Sequence, residues 1–181
     1  MSSYPEAYLS YLVHFHGDRD YFECHELLEE HWKSTPASER SPVWVGLIQL
    51  AVAQYHHRRG NRAGAQKMLQ SARRILAAEH SRLQQLGLDP VHLLALIEER
   101  LAALAAQQPY RSVNLPLQDQ ALLDTCRRRC AELRWTWCGE SNLNDRYLLN
   151  KHALRDRSEV IAERERRLRA KAAGSADQDK R

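Results

Sequence analysis

The spacing of apolar residues predicts helices along most of the chain. Apolar side chains recur every three or four residues, and no run alternates with the period of two that is typical of a strand. The segment over 43–55, VWVGLIQLAVAQY, is apolar almost all round, which is typical of a central helix. The pattern therefore predicts an all-α fold, an antiparallel helical bundle with an additional C-terminal helical extension.

Capping and helix-breaking residues divide this pattern into segments. We expect a first helix from Pro5 to His16, a second helix capped by Asp18 or Asp20, and a central helix that starts at Pro42. Further helices are predicted over 62–86, 90–106, 119–135 and 145–173, with an extended segment over 107–118. The predicted parts are a bundle over 1–106, a crossing segment and packing helix over 107–138, and a charged helical extension with a disordered end over 139–181.

Polar residues occupy helix faces where a core is expected. At about 100° per residue, one broad arc of the second helix contains two carboxylates, an imidazole and two large rings. The residues in this arc are Phe22, His25, Glu26, Glu29 and Trp32. On the central helix, Gln49 and His56 lie about two turns apart on one stripe. Because buried charges are costly without partners, the two helices are predicted to share one polar pocket.

The same segments resemble a known family. The runs YFECHELLEEHW (21–32) and GLIQLAVAQYHHRRGNRAGA (46–65) resemble the domain-of-unknown-function 309 family. The family pattern reads aromatic-Phe-Glu-x-His-Glu-x-x-Glu-x-x-Trp, then Gly-Leu-Ile-Gln, then His-x-x-x-Gly-Asn, and the match covers the first half of the chain. The matching positions are Phe22, Glu23, His25, Glu26, Glu29, Trp32, Gln49, His56, Gly60 and Asn61. The resemblance implies a small all-helical bundle, and it implies no reaction because the family has no assigned function.

Two interpretations of the polar cluster stay open. Facing helices of a bundle hold metals through carboxylates and imidazoles, so one divalent ion bound by His25, Glu26, Glu29 and His56, with water in an open position, is one hypothesis. In the other, these groups and Gln49 hydrogen-bond to one another in a closed network that fixes the register of the helices. The first interpretation makes His25 a ligand or base and Gln49 an orienting group.

Residues beside the cluster indicate a functional site less specifically. Glu23 lies about 100° from the centre of the stripe, which favours a solvated residue in the first turn, although the family pattern includes it. Trp32 is either a wall of the pocket or part of the core. His57 stands beside Arg58 and Arg59, and we expect it on the surface.

The four cysteines are predicted to be reduced thiols. Cys126 and Cys130 lie on one helical face, and Cys138 with His152 would complete a zinc site, but this spacing is far less specific than paired Cys-x-x-Cys units. Packing as small core residues is the favoured interpretation.

Composition narrows the classes of function. A net charge of +4 over 181 residues does not by itself argue for nucleic acid. No run is apolar enough to span a membrane and the N-terminus lacks a signal peptide pattern, so we expect a cytoplasmic protein. The sequence contains no glycine-rich phosphate loop, nucleophile elbow or His-Glu-x-x-His motif, which argues against nucleotide-dependent and serine-hydrolase chemistry.

The C-terminal segment offers a different function. It is rich in cations interleaved with carboxylates, so a solvated helix, a partner-docking helix and a nucleic-acid arm are all compatible with it. Its cations are Arg155, Arg157, Arg164, Arg166, Arg167, Arg169 and Lys171.

The leading hypothesis is a cytoplasmic helical bundle whose pocket binds a metal or small ligand, with hydrolysis as an extension of it. The alternative is a non-enzymatic module that recruits protein or RNA through this segment, and a homo-oligomer is compatible with both.

Overall fold

Helices make up the regular structure of the described part of the chain, residues 4–154 and 165–166 of a computed structural model. They are α1 (Glu6–His16), α2 (Tyr21–Ser34), α3 (Pro42–Arg58), α4 (Arg62–Ala77), α5 (His80–Gln85), α6 (Pro90–Ala105), α7 (Gln120–Glu132) and α8 (Arg146–Leu154), with a short 3-10 helix over Ala37–Glu39. Within those residues the only β-type pairing is an isolated antiparallel bridge between Leu88 and Leu117. The predicted all-α bundle is confirmed.

Short polar side chains start several of these helices. A side-chain oxygen accepts a hydrogen bond from a backbone N–H of the first turn in α2, α4, α6 and α7, which satisfies one of the donors that a helix start leaves unpaired. The capping residues are Asp20, Asn61, Asp89 and Asp119. Proline begins α3 and α6, where its missing N–H costs nothing. These caps match the sequence signals.

The core forms around α3, which packs against α2 on one side and α4 on the other. Its buried residues point in every direction, as its apolar pattern predicts. Gly46 allows the close approach of α4, because a Cβ at this position would lie 2.5 Å from Leu76 Cδ2. The outer contacts are those of α1 with α2 and α7, and of α4 with α6. No helix in the described part of the chain is long and apolar enough to cross a membrane.

The prediction of one helix over 62–86 is wrong. The chain instead leaves α4 after Ala77 and starts the short helix α5 at His80. At 1.5 Å per residue, a straight helix would carry its last apolar residues about 13 Å past Ala77. The turn brings Leu83 and Leu86 back into the core, where both are buried. Burial of these side chains outweighs the continuation of a regular helix.

The segment over 107–118 is extended, as predicted, and it is tied to α1. Val113 and Leu115 are buried, and the backbone N–H of Leu115 donates to Nε2 of His16 at 2.9 Å. The other ring nitrogen of His16, Nδ1, lies 2.8 Å from the carbonyl oxygen of Leu12 and donates to it. Burial lowers the pKa of His16 to about 3, so the ring is neutral and can both donate and accept.

The chain separates into two units, Met1–Leu149 and Asn150–Arg181. Helix α8 starts in the first unit and has a kink at Asn150. Most of the basic segment that was expected to recruit protein or RNA, and the predicted disordered end, lie outside the described residues. The predicted boundaries after residues 106 and 138 stay predictions.

We predict that Gly46→Ala lowers the free energy of unfolding by about 1–3 kcal/mol, since the added methyl overlaps Leu76 in a packed core. Urea unfolding would measure this change. The double variant Gly46→Ala, Leu76→Ala should lose less stability than the sum of the two single variants, because alanine lacks the Cγ and Cδ2 atoms that clash. Strict additivity would contradict the contact.

We also predict a loss of stability in acid that depends on His16. Its folded-state pKa of about 3 lies below the unfolded value, so the unfolded chain binds a proton that the folded chain does not. The stabilisation is therefore complete above about pH 6.5 and falls by about 1.4 kcal/mol per pH unit between about pH 6 and pH 4. Urea unfolding across this range should show the slope in the native protein. His16→Gln, which retains a donor and an acceptor, should remove that part of the slope.

Candidate functional site

The orientation of α2 about its own axis places the predicted polar arc at the boundary between core and solvent. The buried stripe of this helix is Tyr21, Cys24 and Leu28. The centre of the predicted arc is displaced from this stripe by about one residue around the helix axis. The polar side chains of the arc are therefore half-buried: His25 is 28% exposed, Glu26 38% and Glu29 36%. The expectation of a buried polar pocket is therefore wrong for α2.

Contacts of the buried stripe set this orientation. The hydroxyl oxygen of Tyr21 lies 2.6 Å from that of Tyr110, and the Arg58 guanidinium stacks 4.7 Å from the centre of the Tyr21 ring. The Cys24 thiol donates to the carbonyl oxygen of Tyr11 at 3.5 Å. Because Tyr21 and Cys24 are fixed inside, the residues that follow each of them must lie at the edge of the core.

His25, Glu26 and Glu29, here called the α2 triad, form one connected cluster. The Nδ1 atom of His25 lies 3.0 Å from a Glu26 carboxylate oxygen, and its Nε2 atom lies 3.4 Å from Glu29 Oε2. The second oxygen of Glu29 accepts from the Lys33 ammonium at 2.8 Å. One ligand atom from each member of the triad lies within 4.8 Å of the others. The arrangement can hold one cation between two carboxylates and an imidazole.

Aromatic rings border the triad. The ring of Phe22 lies 5.8 Å from that of His25 and 5.9 Å from that of Tyr55 on α3, measured between ring centres. Trp32 is half-buried, and the Arg40 guanidinium lies 4.6 Å from the centre of its ring. Trp32 therefore packs at the edge of the core, on the same helix as the triad.

The remaining predicted site residues are less closely associated with the α2 triad. His56 Nδ1 lies 3.1 Å from the side-chain amide of Asn61, and the group of described residues with the spacing to hold a metal ion is the triad without His56. Gln49 is half-buried, and its Oε1 atom is buried with no donor in the described part of the chain. Glu23 is half-buried and donates its backbone N–H to Asp20. The roles of these three residues stay predictions.

The cysteines pack as free thiols. Cys126 and Cys130 are buried in the core, and the Cys130 thiol donates to the carbonyl oxygen of Val13 at 3.8 Å. Burial raises the pKa of Cys126 to about 12 and that of Cys130 to about 11. Among the described residues no cysteine belongs to a group that could hold a metal ion, which supports the interpretation of core packing.

The sequence pattern missed several buried polar residues, three of which lie at the ends of helices or in the turn after α1. Arg19, Arg58 and His57 are 1%, 8% and 5% exposed. The prediction that His57 lies on the surface is wrong, because the segment over 107–118 covers it: its Nε2 atom lies 3.1 Å from the carbonyl oxygen of Gln108. A helix end rich in Arg and His normally faces solvent, so no local signal would have identified these residues.

Comparisons with known proteins match the region of the triad. A family model described as a domain of unknown function (DUF309) matches residues 8–68. "Uncharacterized protein YpuF" of Bacillus subtilis (strain 168) is 48% identical over 165 residues, which cover 91% of this chain and 95% of that protein. No solved structure matches the chain.

We predict that Glu29→Gln changes the free energy of unfolding by less than about 1 kcal/mol in metal-free buffer. Its contacts with His25 and Lys33 are partly exposed, and ion pairs of this kind contribute little to stability. Urea unfolding in the presence of a chelator would measure the change. A loss of several kcal/mol would instead favour the closed hydrogen-bond network that fixes the helices.

Proposed function

Because the chain belongs to the domain of unknown function 309 family, whose matched segment contains the α2 triad, we propose that this helical protein binds one divalent cation through His25, Glu26 and Glu29. The observation that carries the proposal is the mutual distance of at most 4.8 Å among one ligand atom from each residue. Half-burial supports it further, because the side chains can still turn towards an ion while the helix backbone stays fixed.

The chemistry of the donors narrows the class of metal. Two carboxylates and one imidazole suit zinc, manganese or ferrous iron, and the absence of a thiolate from the triad disfavours copper(I). Bonds from zinc to such ligands are about 2 Å long, so donors around one ion lie roughly 3–4 Å apart. The triad can reach this spacing by small side-chain rotations. A bound cation would compete with Lys33 for Glu29.

Three protein ligands leave coordination positions for water or a ligand. We include His56 in the proposal as a fourth ligand, and Gln49 as a group that orients bound molecules through its buried, unpaired oxygen. Glu23 and Trp32 are proposed to border the site. A divalent ion bound in such a site lowers the pKa of a coordinated water and so supports hydrolysis, which we propose as the class of reaction if the protein is an enzyme.

We also propose that the protein works in the cytoplasm. All four of its cysteines, Cys24, Cys126, Cys130 and Cys138, are free thiols. Free thiols are typical of a reducing compartment, whereas secreted proteins commonly pair their cysteines in disulfides.

Metal content measured by elemental analysis tests the proposed site. The full chain should be purified without chelator or affinity metal and compared with the double variant Glu26→Gln, Glu29→Gln. We expect close to one divalent ion per native chain and less than a tenth of that in the variant, because glutamine cannot supply the anionic oxygens. Circular dichroism should show that both proteins are helical.

A matched control is the double variant Glu30→Gln, Glu39→Gln. Both residues are exposed and lie outside the triad, and the change in net charge is the same. It should retain the native metal content. Equal metal loss in the two double variants, or a metal-free native protein that also takes up no zinc or manganese on dialysis, would refute the proposal and favour the closed network.

A further inference from the structure

An open cavity of about 280 Å³ lies where the end of α3 and the start of α4 meet the segment over 107–118. His57, Arg58 and Arg62 contribute to its lining, with Gln108 and Tyr110 on the opposite side. The described residues that line it include two arginines and one histidine but no carboxylate. The cavity is therefore positively charged, in contrast to the α2 triad.

Arg58 is the most unusual residue of this cavity, because its charge is buried without a carboxylate partner in the described part of the chain. One of its terminal nitrogens, Nη1, donates to the carbonyl oxygen of Arg19 at 2.7 Å and to Ser141 Oγ at 3.2 Å, and Nη2 donates to the carbonyl oxygen of Leu148 at 3.3 Å. The Nε donor is buried and has no acceptor among the described residues. A buried donor left unpaired is energetically costly, and more so when it is charged.

Arg62 adds a second cation at the mouth of the cavity. It is exposed, and its Nη2 atom donates to the carbonyl oxygen of Gln107 at 3.1 Å, which holds the side chain beside the 107–118 segment. Arg62 is also the first residue of α4, a helix of 16 residues, whose N-terminus carries partial positive charge. The guanidinium and the helix start thus contribute charge of the same sign.

His57 adds a buried imidazole to the lining of the cavity. Its Nε2 atom lies 3.1 Å from the carbonyl oxygen of Gln108, which connects the end of α3 to the segment over 107–118. Arg100 is itself buried and pairs with the Glu99 carboxylate, although its Nε atom has no acceptor in the described residues. The positive charge of the cavity is therefore that of Arg58 and Arg62, which have no carboxylate partner among the described residues.

We propose that this cavity binds a small phosphate-bearing molecule, with Arg58 and Arg62 as the residues that recognise the phosphate. Arginine binds phosphate oxygens through strong charge-assisted hydrogen bonds, and an anion here would be attracted by both guanidinium groups and by the start of α4. The volume is below the usual range for drug-sized ligands, which favours a compact ligand. This site is separate from the triad and does not depend on a bound metal.

Isothermal titration calorimetry with inorganic phosphate tests the proposal on the full chain at pH 7 and constant ionic strength. The native protein should bind phosphate at one saturable site. Arg62→Gln should weaken binding at least tenfold, because it removes one cation while the side chain keeps a donor for the Gln107 carbonyl oxygen. Since Arg58 is also bonded to the fold, Arg62 is the better residue to change.

The matched control is Arg59→Gln, which removes the same charge from an exposed neighbour that does not line the cavity. It should bind phosphate within twofold of the native protein. In nuclear magnetic resonance spectra of the native protein, the Nε–Hε signal of Arg58 should shift during the titration. The proposal fails if native protein shows no saturable binding, if Arg59→Gln weakens binding as much as Arg62→Gln, if the Arg58 signal does not move, or if acetate binds as tightly as phosphate.

Discussion

Two buried arginines set the strictest physical requirement in this fold. Arg19 donates to the carbonyl oxygens of Phe15, Val113 and Gly139 and to the side chain of Asn114, at 2.6–2.8 Å, and it does so from a left-handed backbone conformation with φ of 60°. Arg58 in turn donates to the carbonyl oxygen of Arg19. A buried guanidinium is costly unless most of its donors are paired, so α1, the segment over 107–118 and the turn at Gly139 meet around Arg19. The bonds from Arg19 to Val113, Asn114 and Gly139 connect parts of the chain that are more than 90 residues apart.

The contacts of the buried Arg58 also determine where the triad lies. Arg58 of α3 stacks on Tyr21, and the Tyr21 hydroxyl contacts that of Tyr110, so a residue outside the first four helices also helps to define the buried face of α2. His25, Glu26 and Glu29 then lie at the boundary between core and solvent. Carboxylates at such a boundary avoid the full cost of burial and remain able to meet an ion.

Two regions of opposite charge lie within or beside the segment that matches the family. The triad offers two carboxylates and an imidazole, whereas the cavity at Arg58 and Arg62 offers cations and no carboxylate. Residues of both regions fall within 8–68, although the cavity also needs Gln108 and Tyr110 from outside that range. The segment that matches the family therefore contains the charged residues of both regions, and residues of the 107–118 segment complete the lining of the cavity.

The sequence by itself determined the helices, their caps and the membership of the triad, because apolar spacing, N-cap chemistry and residues three or four apart on one helix are all local properties. Tertiary structure decided the rest. Periodicity alone centred the inner face of α2 one residue away from Tyr21, Cys24 and Leu28, and it did not show that α4 ends at Ala77 so that Leu83 can return to the core. It also placed His57 on the surface. The physical reason is common to these cases: what a helix face contacts depends on segments far away in the chain, and here the extended segment over 107–118 covers His57 and reaches Arg19 and Tyr21.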